Sequence, residues 1–530
     1  MDKLILSQLF KKMSISPRSY RFHFTYFMKE FIRMQLAHLL NSLGLNYTVP
    51  DLIEITGIAN NSKEVKPGNL FVAISGHEAD GHKYIDHAIS LGAVAIIGER
   101  NLPDMTVPYI QVKNSRKTLA LVAKQYYYPK NTKTFIGITG TNGKTTTAFM
   151  LRHILENNGM TCSLFSSVYN EVNGEKNASK NTTSDSLELY KQLANSQDQI
   201  VILEVTSHAL IQHRVEGIEF DCCIFTNLSQ DHLDYHLNME DYFEAKRLLF
   251  TMLKPAGKAI INTNNDWGLT LAADLERRHI QTIKLFGEEQ DFHLELEQVT
   301  YIKDLMQIVI TAQQQQGYMM HLSVLGEHNA LNATMAFVTA LQLSIPVNLA
   351  ISALESFRGA PGRFERYKHP KGGEVVIDYA HTEDAFFYCL TTAKKLGARR
   401  IFHVFGFRGN RDTTKRQSMI DVSLELSDFI ILTLDDLNNE TSTTLKAQLE
   451  TYDLNNKGTI ITDRISAIKK AWSMMEEGDW LFITGKGQEP YQQTVTHPRS
   501  DGEVVEMLLK SQISHSSLLE SQFLTQHPSN

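Results

Sequence analysis

A β-branched run, Thr134-Phe-Ile-Gly-Ile138, leads straight into Thr139-Gly-Thr-Asn-Gly-Lys-Thr-Thr-Thr147, and no other stretch limits the chain so strongly. The run reads as a buried strand and Thr145 to Asn158 as the helix after it. Gly140 and Gly143 let the backbone bend sharply and approach an anion, and the first N–H groups of the helix have no intrahelical partners. Lys144 adds a positive charge. Strand, glycine turn and helix start therefore make a cradle for a nucleotide phosphate, with the Thr145 hydroxyl placed to hold a magnesium ion. The loop has the short Gly-Thr-x-Gly-Lys-Thr form, because Ile138 stands where the longer phosphate-loop pattern has glycine. Gly140, Thr141, Asn142, Gly143, Lys144, Thr145 and Thr146 are the expected phosphate contacts.

A chain of 530 residues is too long for one ordinary core, and at roughly 100–200 residues per domain three domains are expected. Short apolar runs at Asn69–Ile74 and Ala93–Ile97 predict a small α/β domain over 34–133, closed by a helix from Lys113 to Tyr128 and opened by one starting at Met34. From 134 to 361, strands at Gln199–Glu204, Cys223–Asn227, Ala259–Asn262 and Thr282–Phe286 alternate with helices, one of them Met239 to Leu253, which predicts a mostly parallel sheet with its crevice at the strand carboxyl ends. Asp291 to Leu325 alternates as paired strands do, with Gln313-Gln-Gln-Gln316 as a polar turn. Strands at Glu374–Asp378, Arg400–Phe405, Phe429–Leu434 and Trp480–Thr484 predict a second open α/β sheet over 362–511. Residues 512–530 read as a disordered tail and 1–33 as a basic extension, either dispensable or preceding the true start, with no apolar run long enough to span a membrane. A net charge of −7 gives no electrostatic case for nucleic acid. Cys162, Cys222, Cys223 and Cys389 lack metal-ligand spacing and read as buried thiols in a reducing cytoplasm.

Two side chains sit where a magnesium nucleotide needs further ligands: Glu204 closes a strand beside the cradle, and His232 follows the next strand. Taken alone, each reads more readily as an ordinary capping or loop residue. Their surroundings decide between these readings. Glu204-Val-Thr-Ser-His-Ala-Leu-Ile-Gln-His-Arg214, Thr226-Asn-Leu-Ser-Gln-Asp-His-Leu-Asp-Tyr-His236 and Tyr242-Phe-Glu-Ala-Lys246, in order after the phosphate loop, resemble the Mur ligase family of peptidoglycan synthesis. Gln212-His213-Arg214 and Asp234-Tyr235-His236 point within it to the MurE type, and the resemblance runs from about Met34 to Leu508.

The resemblance implies three α/β domains: a small N-terminal uridine-binding domain, a central phosphate-loop ATPase domain and a Rossmann-like C-terminal domain carrying the incoming amino acid. It implies that ATP activates the D-glutamyl carboxylate of a UDP-N-acetylmuramoyl dipeptide as an acyl phosphate, which the third amino acid then displaces. The implied machinery is Lys144, Glu204, His232 and Lys246, the last as a carbamate, with Thr145, Glu204, His232 and Lys246 around magnesium. Arg363 and Asp378, in Gly362-Arg-Phe-Glu365 and Val376-Ile-Asp-Tyr-Ala-His381, match segments that complete the ATP site at the phosphate and the ribose. Ser62, His77, Glu78 and Ala79 resemble the uracil-contacting loops, while Asn181, Thr182, Thr183, Thr206, Gln212 and Arg214 match positions that hold the sugar-peptide.

Arg411, Gly485 and Glu489 match positions for the third amino acid, but the Asp-Asn-Pro-Arg motif for meso-diaminopimelate reads Asp435-Asp-Leu-Asn438 here. Asn438 cannot replace a bidentate guanidinium, and Asp435 and Asp436 are expected to favour a cationic tail, which points to L-lysine. A related ligase acting on another carboxylate and a non-catalytic nucleotide-binding regulator are the competing readings. A cytoplasmic monomer is expected from the resemblance.

Overall fold

The computed structural model describes residues 33–50, 52–76, 79–103, 105–128, 133–286, 294–312, 317–492 and 498–511. The chain divides into two compact units: Met1–Thr132 with Ser184–Asn195 and Ile211–Gly217, and Lys133–Thr183 with Ser196–Leu210 and Ile218–Asn530. The expected extension and tail lie outside the described residues, apart from Arg33.

The first unit is built on a four-stranded parallel sheet, Gly57–Ala59, Asn69–Val72, Ala95–Gly98 and Tyr109–Gln111, side by side in chain order. Phe71, Ile85 and Ile96 form part of its core. Met34–Gln35 pairs antiparallel with Glu54–Ile55, so the opening helix starts only at Leu36 and runs to Ser42. Asn114 caps the Ser115–Tyr127 helix by accepting from the Lys117 N–H. That helix packs on Ser186–Asn195, whose Tyr190 hydroxyl donates to Glu216 O at 2.7 Å.

The second unit contains an eleven-stranded and a six-stranded sheet. In the larger, the Thr134–Thr139 strand lies between Ile200–Glu204 and Phe220–Phe225, parallel to both. The carboxyl ends of these three strands consequently open at one edge, where a doubly wound sheet binds ligands. Gly137 is one reason the strands fit, since a Cβ there would stand 2.9 Å from the Phe220 ring. The sheet continues through Leu253–Asn262 and Gln281–Leu285 into three antiparallel strands, Leu294–Ile302, Leu305–Ala312 and Tyr318–Leu322. The first two join through a tight turn with Lys303 at φ +56°, which the alternation pattern does not reveal; the expected glutamine turn lies outside the described residues. The helix expected over 239–253 is α-helical over Met239–Arg247 and tightens to a 3-10 helix over Leu248–Met252.

The six-stranded sheet runs Glu365–Lys368, Glu374–Asp378, Trp480–Thr484, Ile401–Phe407, Phe429–Leu434, Gly458–Ile460. Its outer strands are largely half-exposed and polar or short, so their sequences carry no strand signal. The four cysteines are buried and unpaired. Arg464 is buried and donates to both carboxylate oxygens of buried Asp501, at 2.8 and 2.7 Å, and to Thr484 O at 2.8 Å, tying the helix over 501–511 to the sheet. His403 is fully buried between the hydroxyls of Ser423 and Thr484, and burial lowers its imidazole to about 3.

Replacing Arg464 with Ala leaves the buried Asp501 carboxylate without its charge partner, keeping only the hydrogen bond from the Tyr491 hydroxyl, and is expected to cost about 3 kcal/mol, read as a lower midpoint of chemical unfolding. His403 makes stability pH-dependent. Between about 3 and 6.5 the unfolded chain holds a proton on this residue that the folded chain lacks, so stability falls as pH drops through that window. Unfolding midpoints at pH 7 and pH 5 test this: His403→Asn should show a shallower pH dependence than the unaltered chain.

Candidate active site

The glycines of the phosphate loop adopt conformations that side chains resist. Gly140 has φ +146° and Gly143 φ +84°, and an added Cβ would stand 1.9 Å from Thr226 Oγ1 at the first and 2.4 Å from Asn332 Oδ1 at the second. The loop is fastened to the end of the Phe220–Phe225 strand. Asn227 O accepts from the Thr141 N–H at 3.0 Å, Asn227 Oδ1 accepts from the Asn142 N–H at 2.9 Å, and Thr226 Oγ1 donates to Asn142 O at 2.6 Å. Lys144 folds back over the loop and donates to Gly140 O and Thr141 O, both at 2.8 Å.

Thr145, in the first turn of the Lys144–Asn157 helix, gathers the expected partners. Its hydroxyl donates to Glu204 Oε2 at 2.9 Å and accepts from Arg363 Nη2 at 3.2 Å. Ser167, which no sequence signal marked, lies 3.0 Å from the same hydroxyl, donates its N–H to Glu204 Oε1 at 3.2 Å and accepts from Arg363 at 3.0 Å. The Arg363 guanidinium lies 4.1 Å from the centre of the Tyr379 ring. Glu204 is 1 % exposed, and burial raises its carboxyl against the pull of Lys144 and Arg363. Burial likewise lowers the Lys144 ammonium, against the support of Glu204 and Asp231. Thr146 is buried on the same turn.

Lys246 is not a surface lysine. It is 2 % exposed, donates to Gly140 O at 2.8 Å and stands 4.3 Å from the centre of the Tyr242 ring. Burial, then the neighbouring Lys144 ammonium, hold its amine well below the usual range. His232 has φ +57°, and burial together with His208, Lys246 and His381 lowers its imidazole despite the adjacent Asp231. Asp231 is itself held by Lys415 at 2.7 Å and His381 at 3.3 Å, both from the segment after Gly362. Asn142 Nδ2 donates to Thr382 Oγ1 at 3.1 Å and Asp384 Oδ2 at 3.3 Å, so the altered Thr382-Glu-Asp384 turn meets the phosphate loop.

The remaining expected residues divide. Asp378, expected at the ribose, is buried, and its two oxygens accept from the N–H groups of Phe364 at 2.5 Å and Ala380 at 2.6 Å, bracing the backbone there. Thr183 Oγ1 donates to Glu204 O at 2.8 Å and accepts from the Thr206 N–H at 3.2 Å, while Asn181 O accepts from Ser179 and Thr182 is half-buried. In the first unit, Ser62 Oγ lies 3.2 Å from His87 Nδ1, Ala79 O accepts from the Gly76 N–H at 3.0 Å, and Gln212 Oε1 accepts from Arg214 at 2.9 Å. His77 and Glu78 lie outside the described residues.

Asp435 and Asp436, expected to favour a cationic tail, already have cationic partners within the chain: buried Lys486 pairs with them at 3.3 and 2.7 Å, and Arg408 Nε lies 3.8 Å from Asp435. These cations hold the Asp435 carboxyl below its usual range even though burial opposes it. Lys486 and Arg408 lay in plain view in the sequence, but nothing local marked them as partners of residues some 50 and 30 positions away. Arg411 is turned elsewhere, 3.6 Å from Asp234.

Comparison with known proteins accounts for this assembly. Residues 54–127 match the model "Mur ligase family, catalytic domain", 138–340 the "Mur ligase middle domain" and 362–487 "Mur ligase, glutamate ligase domain". The UDP-N-acetylmuramoyl-L-alanyl-D-glutamate–2,6-diaminopimelate ligase of Listeria monocytogenes is 35% identical over 472 residues, covering 87% of this chain and 95% of that protein. Its namesake from Aquifex aeolicus is 38% identical over 465 residues, covering 86% and 94%. A solved structure of a ligase with the same name superposes with a TM-score of 0.65 at 25% identity, over 90% of this chain and 99% of that one. The MurF ligase of Thermotoga maritima, solved with ADP, has the same fold, at TM-score 0.59 and 22% identity over 82% and 95%. With three ordered domain matches, relatives spanning nearly their full length, and a glycine cradle backed by a buried carboxylate, the chain belongs to the Mur ligase family, in its MurE type, and is an ATP-dependent amide-bond-forming ligase.

Proposed function

We propose that the protein adds the third amino acid, 2,6-diaminopimelate, to UDP-N-acetylmuramoyl-L-Ala-D-Glu in the cytoplasm, as a monomer, through an acyl phosphate. The observation that carries the reading is the convergence on the Thr145 hydroxyl of Glu204 from the neighbouring strand and Arg363 from the segment after Gly362. In this reading 34–133 serves the uridine nucleotide, 134–361 ATP and 362–511 the amino acid. A γ-carboxylate oxygen of D-glutamate attacks the γ-phosphorus, the bond to ADP breaks, and the amino group then displaces phosphate from the acyl carbon, losing a proton. Lys144 and the N–H groups of the first helical turn after the loop neutralise the phosphates, and Arg363 supplies a second cation. The rest of catalysis is positioning.

The donor chemistry suits magnesium: a hydroxyl and a buried carboxylate, Thr145 and Glu204, are hard oxygens in contact with each other, with His232 and a carbamylated Lys246 as the further ligands. Among the described residues no three His, Cys, Asp or Glu side chains gather into a metal site. Magnesium, when bound, supplies charge neutralisation at the phosphates. Lys246 is suited to carbamylation because its lowered affinity for a proton favours the neutral amine, which is the form that adds to carbon dioxide. The ammonium gives up one proton, the neutral amine forms the N–C bond as a C–O π bond of carbon dioxide opens, a second proton leaves the nitrogen, and a cation becomes an anion beside Lys144. No helix among the described residues is long and apolar enough to cross a membrane. A second reading, L-lysine as the amino acid, is favoured by Asn438, which offers no guanidinium to a distal carboxylate.

Phosphate release from ATP with the UDP-dipeptide should depend on 2,6-diaminopimelate when this, L-lysine and L-ornithine are supplied singly; silence with all amino acids would sink the ligase reading. Lys246→Ala should lower kcat by about a hundredfold or more, the scale of losing one electrostatic stabiliser. The unaltered protein equilibrated with 13C-labelled carbon dioxide should show a carbamate resonance that Lys246→Ala lacks.

A further inference from the structure

Position 438 lacks its guanidinium, but the loop around it does not. Asn438 Nδ2 donates to Gly409 O at 3.1 Å, and the Gly409 N–H donates to Asp436 O at 2.9 Å. The approach is so close that a Cβ on Gly409 would stand 2.0 Å from Leu437 O. Arg408, the preceding residue, therefore leaves the backbone directly beside the 435–438 loop. Its guanidinium pairs with Glu489, donates through Nη2 to Gly485 O at 3.4 Å, and lies 5.5 Å from the centre of the Tyr379 ring, the ring that also carries Arg363. Its side chain is 24% exposed, and Nη1 has no hydrogen-bond partner among the described residues.

We infer that Arg408 takes over the task of the missing arginine, receiving a carboxylate of the incoming amino acid while Glu489 receives the ammonium group beside it. The inference rests on the third-residue ligase reading and identifies what that site selects. Arg408 pairs with Glu489, a position expected to hold the amino acid, whereas Asp435 and Asp436 are already served by Lys486. A ligand offering only an ammonium group would take Glu489 and leave the guanidinium only its longer contact with Asp435, at 3.8 Å, a carboxylate that Lys486 already holds. A zwitterionic end, carboxylate beside ammonium, replaces both halves of the pair at once. Breaking an internal ion pair is costly unless both charges find new partners, so the pair itself discriminates. Guanidinium is the donor suited to this, because its planar fork matches a carboxylate in two hydrogen bonds. The distal end of meso-2,6-diaminopimelate is such a zwitterion; that of L-lysine is not.

The test is steady-state phosphate release with meso-2,6-diaminopimelate for the unaltered protein, Arg408→Ala, Arg408→Lys and the double variant Arg408→Ala/Asn438→Arg. Arg408→Ala should raise KM for diaminopimelate at least about thirtyfold, the lower end for truncating one partner of a charge pair that the bound amino acid would cover, with KM for ATP and for the UDP-dipeptide unchanged. Arg408→Lys should fall between the two, keeping the charge but losing the fork. Returning a guanidinium at 438 in the double variant should recover part of the lost affinity, which a merely misfolded Arg408→Ala would not allow. An unchanged KM for diaminopimelate in a folded Arg408→Ala overturns the role of Arg408 and leaves the ligase standing. Turnover by the unaltered protein with L-lysine and not diaminopimelate overturns both the role and the choice of amino acid. Absence of turnover with every amino acid overturns the ligase reading and the inference with it.

Discussion

Two lysine side chains share one carbonyl oxygen: Lys144 and Lys246 both donate to Gly140 O at 2.8 Å. Much of the site depends on that crowding. It is possible only because Gly140 carries no side chain and sits at φ +146°, pressed against Thr226 at the end of the adjacent strand. Two ammonium groups so close and so buried repel, and burial already disfavours each charge; the protein answers with Glu204 and Asp231, both buried carboxylates. Lys246 bears the larger part of the penalty. The proposed carbamate removes the conflict by turning one of the two cations into an anion, so the strain of the bare site and the chemistry assigned to it have a common origin.

The same carboxylates bind the sheets of the second unit into one electrostatic assembly. Asp231 follows the Phe220–Phe225 strand of the larger sheet, yet its partners Lys415 and His381 follow strands of the smaller one. Arg363 reaches Thr145 and Ser167 across the same divide, and Asn142 reaches Thr382 and Asp384. In this arrangement the phosphate loop is completed by residues more than 200 positions away. A site assembled this way excludes bulk water from the charges around it, which is where such charges are worth most.

At the proposed amino-acid pocket the charges meet differently in three dimensions than along the chain. Read along the chain, Asp435-Asp436 beside an absent arginine suggests an anionic pocket awaiting a cation. In three dimensions Lys486 fills that need from 50 positions away, and Arg408 brings a guanidinium to the neighbouring loop. Charge at a site is a sum over everything that folds toward it, and local sequence reports only one of the addends.

Much was nevertheless legible in the chain. The strand–glycine–helix unit at 134–157, the parallel core strands of the larger sheet, the four inner strands of the smaller sheet and the placement of Glu204 at a strand end follow from local rules: β-branched runs bury themselves, and glycine is needed where φ is positive. These features depend on neighbours a few residues away, so sequence alone determined them. The polar edge strand Glu365–Lys368, the tight turn at Lys303, the bracing of Asp378 by Phe364 and Ala380, Ser167 beside Thr145, and the ion pairs of Lys415, Lys486 and Arg408 were decided by tertiary structure alone. Each depends on groups far apart in the chain meeting at a few ångströms, where burial strengthens every charge and every unmatched polar atom, and no local pattern encodes which distant group will arrive.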